Sequence, residues 1–338
     1  MQTTIKKCLF PAAGYGTRFL PATKAIPKEM LPVLTKPLLQ YGVEEAIEAG
    51  LNTMAVVTGR GKRAIEDHFD VSYELEHQIK DTAKESYLTE IREVITNCTF
   101  SYTRQIEMKG LGHAILTGET LIGQEPFAVI LADDLCDNEE DGVLTQMVKL
   151  YEKYKCSIVA VEEVPLDETN KYGVVDVEEM ELSDEVQPRL KPGFQEQDGS
   201  KASSAEEGVT KLENGIGSKV SSAGEGVAKL ENGIGSKVLT LPKERVFKVT
   251  NMVEKPDPKD APSNLAIIGR YILTPDIFDI LRETKPGKGG EIQITDALLE
   301  QAKQGKVIAY KFKGKRFDCG SVDGFVEATN YFYQKSEN

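Results

Sequence analysis

The chain opens on an apolar run of strand length, Ile5, Cys8, Leu9 and Phe10, which stops at Pro11 and gives way at once to a Gly-rich turn. Ala12, Ala13, Gly14 and Gly16 carry almost no side chain, so a flat or anionic ligand can approach their backbone N–H groups. Thr17, Arg18, Lys24 and Lys28 follow before the first acidic residue, Glu29. A hydroxyl and three cations beside bare backbone suit polyanion recognition, with Arg as a planar fork and Lys as a mobile point charge. A lone Gly-x-Gly also fits a plain strand-to-loop turn with solvated basic residues. Two nucleotide loops are excluded. Phe19 stands where the dinucleotide fingerprint has its third Gly, and no Gly-Lys-Ser/Thr is present.

At 338 residues the chain can bury a sizeable core. Its formal charge of −13 argues against nonspecific nucleic-acid binding, so an anionic substrate must be drawn in by a local cluster of cations. No apolar run reaches membrane-spanning length, and the N-terminus has no secretory pattern. Cys8, Cys98, Cys136, Cys156 and Cys319 are scattered, without Cys-x-x-Cys, which points to reduced thiols in a cytoplasmic protein. His68, His77 and His113 are equally dispersed, which leaves a zinc site or a His-based triad little support.

Hydrophobic patterning predicts helices over 38–49, 66–95 (largely) and 142–154, with strands over 53–57, 100–104, 127–131 and 157–161. Strand–helix alternation of this kind implies an α/β chain with an open, mostly parallel sheet flanked by helices. Ligands of such sheets lie beyond the carboxyl ends of the strands, where the first turn would sit. The second half predicts strands over 174–177, 246–253, 265–273 and 306–312. Helices are expected over 275–282, 295–304 and 322–333, the last packing its aromatic face on a neighbour. One elaborated domain over 1–338 is expected. Residues 203–220 and 221–238 are tandem copies differing only at Glu206/Gly224 and Thr210/Ala228. Two copies are too few for a solenoid, so they read as a duplicated, solvated insertion.

Four further stretches carry chemistry. Gln105-x-x-x-x-Gly110-Leu111-Gly112-His113 follows a strand and opens a helix; its amide can pair with a base edge, and its glycines equally suit a helix cap. Asp133 and Asp134 end the most apolar strand, where carboxylates are poised for a hard cation such as Mg²⁺ or serve as a polar strand terminus. Asp318, in Arg316-Phe317-Asp318-Cys319-Gly320, also lies between a strand and a helix. Glu254 can accept from sugar hydroxyls and Lys255 can neutralise a phosphate, although a solvated Glu–Lys pair reads the same.

Gly14-x-Gly16-Thr17-Arg18-Phe19-x-Pro21, with Pro27-Lys28-x-Met30-Leu31-Pro32, resembles the signature of the sugar-1-phosphate nucleotidyltransferase family, most closely its bacterial uridylyltransferase branch. The resemblance spans the chain except roughly 181–245. It implies a Rossmann-like fold of the nucleotide-diphospho-sugar transferase type. A nucleotide-binding half over about 1–180 and a sugar and metal half over about 246–320 would precede a C-terminal helix over 322–338. The implied reaction takes UTP and glucose 1-phosphate to UDP-glucose and pyrophosphate with Mg²⁺. By the same resemblance Ala12, Ala13, Gly14, Gly16, Thr17, Gln105, Gly110 and Gly112 hold the nucleotide, and Gly173 and Glu254 meet the sugar. Arg18, Lys28 and Lys255 serve the phosphates, Asp133 and Asp318 share the metal, and His113 is structural. The blocks Asn264-Leu265-Ala266-Ile267-Ile268-Gly269-Arg270-Tyr271 and Gly290-Glu291-Ile292-Gln293-Ile294-Thr295-Asp296 are expected to be scaffold or interface, and a homo-oligomer, dimer or tetramer, is implied.

Two alternatives stay open at this point: a thymidylyl- or other nucleotidyltransferase acting on a hexose 1-phosphate, and a non-catalytic sugar-nucleotide sensor or subunit. A dehydrogenase is opposed by the missing third Gly and by the cations. Deleting residues 200–240 is expected to leave turnover largely intact; a lower kcat in a folded, correctly assembled deletion variant would count against this.

Overall fold

Cys8, Leu9 and Phe10 are each no more than 1% exposed, so the first strand, β1 (Lys7–Pro11), is covered on both faces as a central strand should be. The computed structural model describes residues 3–138, 140–180 and 245–337. The chain divides into two units, Met1–Gln187 with Pro242–Asn338, and Pro188–Leu241. The second unit, the tandem copies at 203–220 and 221–238, and all of 181–245 except Arg245 lie outside the described residues.

After β1 come two short strands, β2 (Pro32–Val33) and β3 (Lys36–Pro37), then β4 (Thr53–Thr58), β5 (Thr99–Arg104), β6 (Phe127–Ile130) and β7 (Asp134–Asp137). They are followed by β8 (Ser157–Glu163), β9 (Gly173–Glu179), β10 (Val246–Glu254), β11 (Leu265–Leu273), β12 (Val307–Lys311) and β13 (Lys315–Asp318). The helices of the first half are α1 (Leu38–Glu48), α2 (Arg63–His68), α3 (Tyr73–Ile79), α4 (Thr89–Asn97), α5 (Leu111–Thr117), α6 (Glu119–Ile122) and α7 (Val143–Tyr154). Those of the second are α8 (Ile277–Glu283), α9 (Ile294–Ala302) and α10 (Val322–Ser336).

Nine strands form one sheet in the order β5-β4-β1-β6-β11-β8-β12-β10-β9. The first four run parallel, with Lys7 in register with both Thr53 and Phe127. Beyond them β11 enters antiparallel to both β6 and β8, and β10 is antiparallel to β12 and β9; only β8 and β12 are parallel there. The sheet is therefore mixed, and the mostly parallel arrangement is confined to its N-terminal side.

The expected long helix over 66–95 is broken into α2, α3, a 3-10 turn (Ala83–Leu88) and α4. Asp81 takes a left-handed φ of 60°, and Thr82 caps the next turn by accepting from the Lys84 N–H, so the α-helical ladder cannot continue. The main core lies between the sheet and α5, α8 and α9, where Phe127 stacks on Phe278 at 5.2 Å. A smaller core gathers Val33, Leu38, Leu135 and Phe317 under Phe325, Tyr331 and Phe332, so the aromatic face of α10 packs on its own chain. Among the described residues no helix is long and apolar enough to cross a membrane.

Two features position the site. β13 pairs antiparallel with β7, which sets Asp318 opposite Asp134. Arg270, 1% exposed on β11, donates from Nη2 to Glu45 Oε2 of α1 (2.7 Å) and to the Asp134 carbonyl (2.8 Å), and from Nη1 to the Leu131 carbonyl (3.4 Å). Removing one partner of a buried pair strands the other charge, at about 3–5 kcal/mol. Glu45→Gln, which keeps the volume and loses the charge, is expected to destabilise the chain toward the lower end of that range in chemical denaturation. A loss under about 0.5 kcal/mol, typical of surface substitutions, would refute this.

Candidate active site

The turn after β1 is fixed by its neighbours. The Ala12 N–H donates to the Val57 carbonyl (2.8 Å) and the Gln105 N–H to the Thr58 carbonyl (2.9 Å), so both segments flank the end of β4. A Cβ on Gly59 would stand 2.9 Å from the Ala13 carbonyl oxygen, so the chain leaving β4 lies directly against the turn. Gly14 faces open space. Gly16 has a φ of +65°, and a Cβ there would sit 2.9 Å from Lys28 Cβ, so the 3-10 turn Lys28–Met30 nests against it. Beneath, the buried Glu29 carboxylate accepts from Lys62 Nζ through Oε2 (2.7 Å), while its Oε1 has no hydrogen-bond partner.

This nesting delivers Lys28 Nζ to Asp133 Oδ2 at 2.5 Å. Burial works against ionising the Asp133 carboxyl. The Lys28 charge, the hydrogen bond from Lys28 and Arg18 outweigh it and hold the carboxyl below the usual carboxylate range. Burial likewise opposes the Lys28 ammonium, and Asp133 and Glu29 raise it above the ordinary lysine value. The pair is therefore ionised at neutral pH.

The neighbouring aspartate is used differently. Asp134 Oδ2 accepts from the Gly269 N–H (2.8 Å), and a Cβ on Gly269 would lie 2.6 Å from that oxygen. Asp134 Oδ1 accepts from Arg316 Nε at 2.6 Å. Burial pushes the Asp134 carboxyl up, against the pull of Arg316. Arg316 also donates from Nη1 to Glu162 Oε1 (2.5 Å), and its guanidinium lies 4.9 Å from the Tyr172 ring centre.

Asp318 reaches the site from the other strand of the ribbon. Its Oδ1 accepts from the Gly320 N–H (3.0 Å) and its Oδ2 from the Tyr172 hydroxyl (3.2 Å). A Cβ placed on Gly320 would stand 3.0 Å from both Asp133 Oδ2 and Asp318 Oδ1, and 3.2 Å from Arg18 Nη1. The two carboxylate oxygens thus lie within twice 3.0 Å of each other, around a point that only a glycine leaves clear. Among the described residues no three His, Cys, Asp or Glu side chains are grouped to hold a metal. Two convergent carboxylates suit a hard cation that draws its remaining ligands from water and phosphate.

Arg18, Asp133, Gly173, Glu254, Lys255 and Asp318 line one cleft, with Lys28 joined to it through Asp133. Lys255 sits at a left-handed φ of 48° with its N–H on the Tyr172 carbonyl (2.9 Å) and its Nζ 3.4 Å from Glu254 Oε1. Glu254 Oε2 accepts from Thr295 Oγ1 (2.9 Å). A Cβ on Gly173 would meet Thr295 Cγ2 at 2.6 Å, so side-chain packing requires the glycine there.

The remaining sequence-selected residues, Ala12, Ala13, Gly14, Gly16, Thr17, Gln105, Gly110 and Gly112, are not on the wall of this cleft. Gln105 Nε2 donates to the Gly110 carbonyl (3.2 Å) and to His113 Nδ1 (2.8 Å), which assigns Nδ1 as the acceptor nitrogen. A Cβ on Gly110 would stand 2.9 Å, and one on Gly112 2.7 Å, from the Ile292 carbonyl oxygen, to which the Gly112 N–H donates (2.9 Å).

Sequence reasoning missed several wall residues. Glu291, Gln293 and Thr295, in a block expected to be scaffold or interface, line the cleft, as do Tyr172 and Arg316. The alternation Glu291-Ile292-Gln293-Ile294-Thr295, polar on one face, was the available signal. For Arg316 it was the i, i+2 spacing from Asp318 on one strand.

Known proteins match this arrangement along nearly the whole chain. The nucleotidyl transferase family model matches residues 9–191 and 224–335. A UTP–glucose-1-phosphate uridylyltransferase of Pseudomonas aeruginosa strain PAO1 is 59% identical over 331 residues, 98% of this chain and 96% of the relative. A UDP-glucose pyrophosphorylase solved in complex with UDP-glucose is similar with a TM-score of 0.74 and 53% identity, over 98% of this chain and 99% of that one. A UTP-bound UGPase from Acinetobacter baumannii gives 0.72 and 32%, over 97% and 93%. With sequence and α/β fold both matched at this length, the chain belongs to the nucleotidyl transferase family.

Proposed function

We propose that this chain transfers the uridylyl group of UTP to α-D-glucose 1-phosphate, giving UDP-glucose and pyrophosphate, in a reversible reaction. The observation that carries the reading is the convergence of Arg18, Lys255 and the Lys28–Asp133 pair with Asp318 in one cleft, in a chain 59% identical to a uridylyltransferase. In this reading the Rossmann-like part is the parallel set β5, β4, β1 and β6, with the first turn at the carboxyl end of β1.

The sugar phosphate is already a dianion near neutral pH, since a phosphomonoester's second pKa is about 6. It needs no general base, which accords with a cleft wall that carries no histidine. The obstacle is electrostatic, because one anion must attack the α-phosphorus of another. Rate enhancement then comes from in-line positioning and from fixed cations that meet developing charge. In this reading Lys255 holds the sugar phosphate, Lys28 the nucleotide phosphates and Arg18 the departing pyrophosphate. Glu254 accepts from sugar hydroxyls, with Gly173 beside it on the cleft wall. Ala12, Ala13, Gly14, Gly16 and Thr17 face the base and phosphates from one side, with Gln105, Gly110 and Gly112 on the other.

The donor set suits a divalent cation, because the Asp133 and Asp318 carboxylates approach each other beside Gly320, each with an oxygen 3.0 Å from where a Cβ would sit. When bound there, Mg²⁺ supplies Lewis-acid charge and a template for phosphate oxygens. The five cysteines are unpaired, in keeping with a cytoplasmic setting. A homo-oligomer, dimer or tetramer, completes the reading on the strength of the family resemblance.

Pyrophosphate release across a panel of NTPs and sugar phosphates, with and without Mg²⁺, tests the function. UTP with glucose 1-phosphate should lead the panel, and release should stop without the metal; a preference for dTTP would overturn the base assignment. Lys28→Ala and Asp133→Asn are each expected to lower kcat for UDP-glucose pyrophosphorolysis by about 10²–10³. Near-wild-type turnover in both folded variants would remove Lys28 and Asp133 from the mechanism.

A further inference from the structure

Tyr172 touches the site in three places, and none of the readings above gives it a role. Its hydroxyl donates to Asp318 Oδ2 at 3.2 Å. Its ring carries the Arg316 guanidinium at 4.9 Å. Its carbonyl accepts the Lys255 N–H at 2.9 Å, at the residue where β10 turns into the cleft. A carboxylate held at one oxygen can still swivel about its Cβ–Cγ bond, whereas one held at both cannot. Asp318 is held at both: Gly320 N–H on Oδ1 (3.0 Å) and Tyr172 on Oδ2. In that plane Oδ1 is the oxygen on the Asp133 side, since it and Asp133 Oδ2 both lie 3.0 Å from where a Cβ on Gly320 would stand.

The competing partner for Asp318 is Arg316, whose Nη2 stands 3.9 Å from Oδ2. That is too long for a hydrogen bond, and the guanidinium is already engaged with Asp134 at 2.6 Å and Glu162 at 2.5 Å. Tyr172 occupies Oδ2 with its hydroxyl and underlies the guanidinium with its ring, so it touches both groups.

We propose that Tyr172 is a positioning residue that fixes the Asp318 carboxylate with its Oδ1 turned toward Asp133, so that the pair can share a divalent cation. The proposal rests on the reading in which Asp133 and Asp318 hold that cation. Outer-shell partners of metal ligands typically change metal affinity 10–100-fold when removed. Through its carbonyl, Tyr172 also links the backbone at Lys255 to the orientation of Asp318, so the sugar-phosphate side and the cation side share one residue.

The test is Mn²⁺ binding to the full-length chain, followed by electron paramagnetic resonance of the free ion, for wild type, Tyr172→Phe and Asp318→Asn. Phe keeps the ring under Arg316 and removes only the hydroxyl. Tyr172→Phe is expected to weaken Mn²⁺ binding about tenfold at an unchanged thermal unfolding midpoint, and to raise the KM for Mg²⁺ while the KM for UTP stays fixed. A purely structural tyrosine would instead lower the midpoint and leave the affinity alone. If Asp318→Asn abolishes binding while Tyr172→Phe stays within twofold of wild type, the positioning role is overturned and the cation assignment stands. If Asp318→Asn binds Mn²⁺ as wild type does, the cation assignment fails, and the role of Tyr172 fails with it.

Discussion

Asp133 is held in place by the residues around it, and those residues are held by buried guanidinium groups. Arg270 donates to the carbonyls of Leu131 and Asp134, and Arg316 donates to the Asp134 carboxylate, so both grip the corner between β6 and β7. A buried guanidinium persists only where its donors are met by carboxylates and carbonyls. Glu45 and Glu162 complete the two sets. The corner is therefore rigid at the residue whose side chain the chemistry would use, and Gly269 is obliged to be a glycine by the closeness of Asp134.

The cleft is not the simply cationic pocket that the run Arg18, Lys24, Lys28 suggests. Lys28 faces Asp133, Lys255 faces Glu254, and Arg316 faces Asp134 and Glu162. Charges of both signs line the wall in close balance, inside a chain whose formal charge is −13. Such an arrangement holds its cations in fixed positions before a substrate arrives. In the proposed reading, two phosphate-bearing substrates still require further positive charge, and the convergence of Asp133 with Asp318 is where the protein could gather it.

Much of this was legible in the sequence because strand ends announce themselves. Asp133, Glu254 and Asp318 each close an apolar or alternating run, and all three reach one cleft. The glycines were legible as open positions, but the neighbour was not. On the side where a Cβ would point, Gly110 and Gly112 meet the Ile292 backbone and Gly173 meets Thr295, so packing within the protein also requires glycine there. Tyr172 gave no local signal, since its meaning lies in partners far along the chain; Arg316 gave only its spacing from Asp318, and its partners Asp134 and Glu162 are equally remote. The sheet was legible in its strands but not in its order. A period of two marks a strand without fixing its direction or its neighbours, and β11 reads the same whether it joins an edge or the middle.

The place of β11 bears on how the polypeptide is made. Residues 265–273 supply the strand that separates β6 from β8, so a nascent chain that has released only its first 180 residues has no partner for the inner edge of either. β6 is Phe-Ala-Val-Ile and wholly buried in the finished protein. Its open edge is the kind of surface on which unfinished chains pair with one another. β11 follows β8 only after residues 164–264 have emerged, and until then both inner edges lack the strand that joins them.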